Sequence, residues 1–217
     1  KHSGSPLDAL ASMVRHRGLV VDLAYREVVG RYRGSVGGLL WSFIQPLLML
    51  AVYTFVFAVV FKARWGALQG DSNTAFAVIL FMGLIVHTLF AECVNRAPLL
   101  VVANANYVKR VIFPLEILPL VALFSAVFHM AVSILILLLF QWALAGRLDW
   151  HALWLPIVLL PLIVMTLGFT WLLAATGVFV RDIAQTTGIV TTVLLFLSPV
   201  FYPVSALPPA YQGWIKA

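Results

Sequence analysis

Arg31 and Arg33 stand two residues apart, ahead of a glycine-rich elbow (Gly34, Gly37, Gly38) and an apolar run, LLWSFIQPLLML. A guanidinium donates two parallel hydrogen bonds from a planar fork, which matches the oxygens of a phosphate. Where charge runs into sequence that leaves water, two readings stand side by side. One is a specific contact with a phosphate-bearing group; the other is general attraction to anionic headgroups, about 1 kcal/mol per basic residue. Glu92 and Arg96 make a second candidate pair at (i, i+4) spacing, with Thr88, Asn95 and His87 close by on the same segment. A carboxylate at membrane depth is a functional hypothesis by default, but near the end of a span a structural ion pair fits better. Glu116, between Pro114 and Pro119, is placed to cap a helix or to meet a partner's base. His129 lies on an (i, i+4) line with Ser125 and Ser133, which reads as a packing seam.

The remaining chemistry is sparse. The eight acidic residues are scattered, and no His-x-x-x-His or Asp-x-x-Asp cluster occurs, so no catalytic residue and no metal ligand is assigned. The single cysteine, Cys93, leaves neither an internal disulfide nor a cysteine zinc site. No G-x-x-x-x-G-K-[ST] phosphate loop is present, so this chain is not expected to bind ATP in the usual way.

Composition decides what must position these residues. Of 217 residues, 63% are hydrophobic and 10% charged, against roughly 45–50% and about 25% in soluble domains. With a mean hydropathy of +1.03, the chain reads as an all-α polytopic membrane protein. Crossing the hydrocarbon takes about 20 helical residues. Five segments qualify, roughly 36–61, 75–95, 113–145, 152–180 and 184–204, and a sixth span is expected beyond residue 217. Residues 1–18 are a polar segment without the apolar stretch of a signal peptide. Lys1, Arg15, Arg17, Arg26, Arg31, Arg33, Arg96, Lys109, Arg110 and Arg181 fall on one side of this topology, and Lys62, Arg64, Arg147 and Lys216 on the other. The positive-inside rule therefore puts the N-terminus in the cytoplasm, and the net charge of +6 points to membrane orientation, not nucleic acid.

Two segments are too polar to cross. Over 19–33, at about 100° per residue, Val20, Val21, Ala24, Tyr25, Val28 and Tyr32 share one broad face and Asp22, Arg26 and Arg33 another. That pattern predicts an interfacial helix, with Asp22–Arg26 and Glu27–Arg31 as intrahelical pairs. The second, PLLVVANANYVKRVIFP over 98–114, is bounded by prolines and carries Asn104, Asn106, Lys109 and Arg110. A short cytoplasmic helix bounded by Pro98 and Pro114 fits, as does a plain connector.

Two spans carry polar stripes. Ser42, Gln45, Met49, Tyr53 and Phe57 share one arc of the first; Gln185, Gly188, Thr192, Phe196 and Pro199 share an arc of the fifth, beside Thr187, Thr191, Ser198 and Tyr202. Such stripes face either an aqueous conduit, where Tyr53, Phe57, Phe196 and Tyr202 would offer ring faces, or a neighbouring helix.

Four fragments in order, RYRGSVGGLLWSFIQPLLMLAVYTFVFAVVFK, NANYVKRVIFPLEILPL, GVFVRDIAQ and SPVFYPVSALP, resemble the membrane subunits of ABC transporters that export polysaccharides. These are the O-antigen, capsule and teichoic-acid exporters of the type-2 class, and the likeness spans about residues 15–217. The resemblance implies a homodimer in the bacterial inner membrane, with six spans per subunit; residues 19–217 are its transmembrane domain, and the sixth span follows them. It implies a separate cytoplasmic ATPase dimer that binds ATP and magnesium, so this chain carries no cofactor. It further implies an interface helix at 19–33, a coupling helix at 98–112 and a re-entrant external region from 205. Arg31 and Arg33 would meet the lipid diphosphate of the substrate. Ser42, Gln45, Tyr53, Phe57, Thr192, Phe196 and Tyr202 would line the channel. Arg26, Asn104, Asn106, Lys109 and Arg110 would face the ATPase subunit. No residue pattern selects a particular glycan.

Two other functional classes would need different residues. An enzyme acting on polyprenyl-linked lipids calls for converging acids, bases or metal ligands. An ion-coupled transporter calls for internal repeats and charge near the midplane, whereas the span centres hold no Asp, Glu, Lys or Arg.

Overall fold

The computed structural model describes residues 15–56, 73–104, 114–146 and 150–200. Every regular element among them is helical. Helix α1 spans Arg17–Tyr32; a 3-10 turn, Gly38–Leu40, leads into α2, Trp41–Tyr53; α3 spans Asn73–Ala103 and α4 Ile117–Ala145. A 3-10 turn, Trp150–Trp154, precedes α5, Leu155–Gly177, and α6 spans Ile183–Leu197.

Four stretches are long and apolar enough to cross a membrane, Gly38–Val56, Val78–Ala103, Ile117–Leu144 and Ala152–Gly177. They correspond to the first four expected spans. The fifth segment forms a shorter apolar helix, Ile183–Leu197, about 22 Å long against ~30 Å of hydrocarbon. It stops because Pro199 disfavours helix in the preceding residue, and Ser198 is extended (φ −70°, ψ 142°).

Local chemistry sets the other boundaries. After α1 the backbone turns at Gly34, whose φ of +90° is costly for a residue bearing a Cβ. At the end of α4, Gly146 takes a left-handed φ of +66° and its N–H bonds the Trp142 carbonyl at 2.8 Å. One expectation fails at Pro98. No helix begins there, because α3 runs through it to Ala103. An interior proline forfeits one backbone hydrogen bond and typically costs about 3 kcal/mol. Packing on both sides supports this one, since Pro98 is fully buried and Gly177, at the end of α5, lies directly against it. A Cβ on Gly177 would sit 2.3 Å from the Pro98 carbonyl oxygen.

Helix α3 is the hub, packing on α2, α4, α5 and α6. Its Phe81, Ile85, Leu89 and Cys93 meet Leu50 of α2, Leu123, Ala126, Met130 and Leu137 of α4, and Leu159 of α5 in one buried cluster. Thr166, Thr170, Ala174 and Gly177, all buried, form a small-residue seam on α5 that lets helices approach closely. The other face of α5, with Ile157, Val158, Val164 and Leu172, is exposed, as a surface solvated by lipid tails requires. Helix α1 packs along α4, where Val20 is buried against Ile117 and Val121.

Candidate functional site

The end of α1 meets α3 and α4 through a ladder of charged and polar groups. The Arg31 guanidinium donates from Nη2 to Glu92 Oε1 at 2.6 Å and from Nη1 to His129 Nδ1 at 2.8 Å. Arg96 donates from Nη2 to Glu27, and its Nη1 stands 3.6 Å from Glu92 Oε1. The order Glu27–Arg96–Glu92–Arg31–His129 thus alternates in charge and ties one helix to two others. Glu92 is the most enclosed carboxylate in it, with 14% of its side chain exposed against 40% for Arg31.

Arg31 Nη1 also stands 3.5 Å from His129 Nε2, so the guanidinium lies over the imidazole and not along one nitrogen's lone pair. The Tyr32 hydroxyl is 3.1 Å from Nε2. Tyr32 and Phe128 each stand edge-on to the imidazole, with centroid separations of 6.1 Å and 5.7 Å. Burial pushes the Tyr32 phenol above its usual range, outweighing the opposing pull of Arg31.

Arg31, Tyr32, Glu92 and His129 of this ladder line a cavity of about 300 Å³ between α1, α2, α3 and α4. Ser42, Gln45, Met49 and Tyr53 of α2 also line it, with Thr88 of α3, Ser133 of α4 and apolar residues such as Phe81, Ile85 and Met130. The described part of the first polar stripe thus borders a cavity of mixed polar and apolar walls, with Ser42 buried and Gln45 and Met49 exposed. Pro46 also lines that chamber, and as a proline it cannot donate to the Ser42 carbonyl. The Ser42 hydroxyl donates back to the Leu39 carbonyl at 2.7 Å.

The stripes of α6 lie elsewhere. Thr187 and Thr191 are buried against α3, where Thr191 Oγ1 donates to Asn95 Oδ1 at 3.2 Å and His87 Nε2 donates to the Thr191 carbonyl at 2.9 Å. That arc is a helix–helix contact. Thr192 and Phe196 are on the exposed arc, and no α6 residue lines the α2 chamber. Arg33 is separated from Arg31. It borders a second, apolar groove of about 590 Å³, with Val21, Tyr25, Leu39, Phe124 and Phe128. Arg26 is exposed on α1, and Asn104 ends α3 with its side-chain amide donating to the Leu100 carbonyl at 2.8 Å. Phe57, Tyr202, Asn106, Lys109 and Arg110 lie outside the described residues.

Three readings of individual residues change. Glu27 and Arg31 do not pair within α1; each reaches to α3 instead. An exposed intrahelical pair contributes about 0.3–0.5 kcal/mol, and pairs in a partly enclosed cleft are screened less. His129 is part of the polar ladder and not a packing seam; only Ser133 Oγ, donating to the His129 carbonyl at 2.9 Å, belongs to the backbone. A titratable ring alone in an apolar span was the available signal. Glu116 makes no side-chain cap; its carbonyl accepts from Trp171 Nε1 at 3.1 Å, tying α4 to α5. The expected Glu92–Arg96 pair is present, with Arg31 added to it.

Residues 19–217 match the family described as ABC-2 type transporter. Over 195 residues the chain is 30% identical to the O-antigen export system permease protein RfbA of Myxococcus xanthus, covering 90% of this chain and 72% of that protein. Over 200 residues it is 26% identical to a protein of the same name from Klebsiella pneumoniae, covering 91% and 73%. Over 201 residues it is 25% identical to the polysialic acid transport protein KpsM of Escherichia coli, covering 90% and 74%. This bundle of apolar helices, matched along nearly its whole length, belongs to the ABC-2 type transporter family.

Proposed function

We propose that the chain is the permease subunit of an ABC exporter that moves lipid-linked polysaccharide outward across the bacterial inner membrane, with its N-terminus in the cytoplasm. Two copies form the conduit, and a cytoplasmic pair of ATPase subunits binds ATP and magnesium and supplies the work. The observation that carries this reading is the placement of the α2 stripe. In a helix otherwise apolar, Ser42, Gln45 and Tyr53 line the same cavity as Arg31, Glu92 and His129. A hydrated glycan needs such a polar, ring-bearing wall, and its phosphate-bearing anchor needs a guanidinium beside it. The relatives named for O-antigen export and polysialic acid transport support the substrate class.

In this scheme Thr192 and Phe196, on the outer arc of α6, face the second copy, completing a wall with Phe57 and Tyr202. Arg26, Asn104, Asn106, Lys109 and Arg110 contact the ATPase. Arg33 meets lipid headgroups at the mouth of the apolar groove. A strain deleted for this chain should lose surface polysaccharide and accumulate lipid-linked glycan on the cytoplasmic side. The wild-type gene should restore export, and Arg31→Gln should restore it poorly while the protein still reaches the membrane. Normal surface polysaccharide in the deletion strain would remove the proposal.

A further inference from the structure

In the structure Arg31 is already engaged. One arm of its guanidinium is held by Glu92 at 2.6 Å, and the other lies against the His129 ring, 2.8 Å from Nδ1 and 3.5 Å from Nε2. A phosphate that takes both Nη groups as a fork must displace the carboxylate. That carboxylate has somewhere to go, because Glu92 Oε1 already stands 3.6 Å from Arg96 Nη1 and 3.5 Å from His129 Nδ1.

We propose that Glu92 is a built-in stand-in for the phosphate group. It holds Arg31 when no substrate is present, and it moves to Arg96 and His129 when a phosphate-bearing lipid takes the guanidinium. This rests on the reading of Arg31 as the anchor of the lipid phosphate, and it adds how that site is kept closed and how it opens.

The exchange balances in charge and needs no proton from outside. As Arg31 leaves, Glu92 takes the Nδ1–H of His129, from which it stands 3.5 Å, and Nε2 accepts from the Tyr32 hydroxyl 3.1 Å away. The Tyr32 phenol carries its proton at neutral pH. Nothing is left unpaired. Glu92 keeps two partners, Arg31 gains a doubly charged one, and Arg96 keeps Glu27 while drawing Glu92 closer. The exposures fit the roles: Arg31, open to a ligand, is 40% exposed, and Glu92, which must remain satisfied within the protein, is 14% exposed. The exchange also has a mechanical consequence. Arg31 is on α1 and Glu92 on α3, so the swap removes one of the two ion pairs that bind α1 to α3.

The test uses the full chain with its ATPase subunits in phosphatidylcholine nanodiscs, titrated with geranylgeranyl diphosphate. Glu92→Gln removes the competing charge and should tighten binding about tenfold. Arg96→Gln removes the carboxylate's alternative partner and should weaken binding several-fold, although Arg96 does not touch the ligand. Simple structural damage would weaken both, so opposite signs are the signature. Glu92→Asp keeps the charge but withdraws it by one methylene; it should tighten binding about threefold and serves if Glu92→Gln fails to assemble. Arg31→Gln should abolish binding in every background. Unchanged binding in Arg31→Gln would overturn the underlying reading of Arg31. Loss of binding in Arg31→Gln with no tightening in Glu92→Gln or Glu92→Asp would overturn the exchange alone. A parallel titration in nanodiscs containing phosphatidylglycerol separates the sources. Competition by that lipid would assign Arg31 to ordinary headgroups and overturn the substrate-specific exchange; indifference to it supports the diphosphate.

Discussion

The pair Glu27–Arg96 is a firm link between α1 and the bundle, and it can be separated from the Arg31 site. Both side chains are about one third exposed or less, so solvent screens the pair only in part. We predict that Glu27→Gln destabilises by about 1–2 kcal/mol, the range for a partly screened charged hydrogen bond. Hydrogen exchange should show faster loss of protection in α1 than in α3 or α5. The reversed pair Glu27→Arg with Arg96→Glu should recover most of that protection; no recovery would mean that the contact is incidental. At this scale the sequence was partly legible. Glu92–Arg96 follows from helical spacing alone, and the α2 stripe from its polar residues among Leu, Val and Phe. The reach of Arg31 to Glu92 and His129 depends on α1 lying along α4, a long-range placement that no local spacing encodes.

Helix–helix contacts rest on two kinds of residue, and each has a measurable signature. Where α5 meets α3, Gly177 is required because a Cβ would lie 2.3 Å from the backbone of Pro98, which cannot move as a side-chain tip would. We predict that Gly177→Ala costs at least about 2–3 kcal/mol through overpacking and lowers the melting temperature of the purified protein. Gly168→Ala, which meets nothing within 4 Å, should be neutral or slightly stabilising, as Ala favours helix over Gly by about 1 kcal/mol. Equal effects at the two glycines would contradict the packing described. Where α6 meets α3, His87, Asn95 and Thr191 replace apolar contact with hydrogen bonds. Element boundaries were legible where chemistry is local, at Gly34 and at Gly146, whereas the fifth segment, read as 184–204, overran Pro199 and stops at Leu197. Pro98 misled because its helix-breaking tendency is overridden by burial against another helix.

The arrangement of helices in one chain leaves the exposed arc of α6 and the α2 chamber as separate features, and the proposed conduit joins them only across two copies. We predict that Thr192→Cys, in a chain whose lone Cys93 is replaced by serine, cross-links to a second copy in native membranes. Exclusively monomeric bands under oxidising conditions would contradict the shared wall. Overall class and the first four long apolar segments were legible from hydropathy, because the bilayer imposes a length that sequence must meet; the fifth proved shorter than hydropathy implied. Assembly is implied only by resemblance, since dimer faces and lipid faces use similar residues.

The most direct test of the account reconstitutes the chain and its ATPase partner in proteoliposomes carrying lipid-linked polysaccharide in the outer leaflet, with the ATPase facing out. The polysaccharide's protection from an external glycosidase is followed over time. The account predicts protection that requires ATP, requires both chains and drops at least tenfold in Arg31→Gln. Protection that develops without ATP, or that is unchanged in Arg31→Gln, would contradict it.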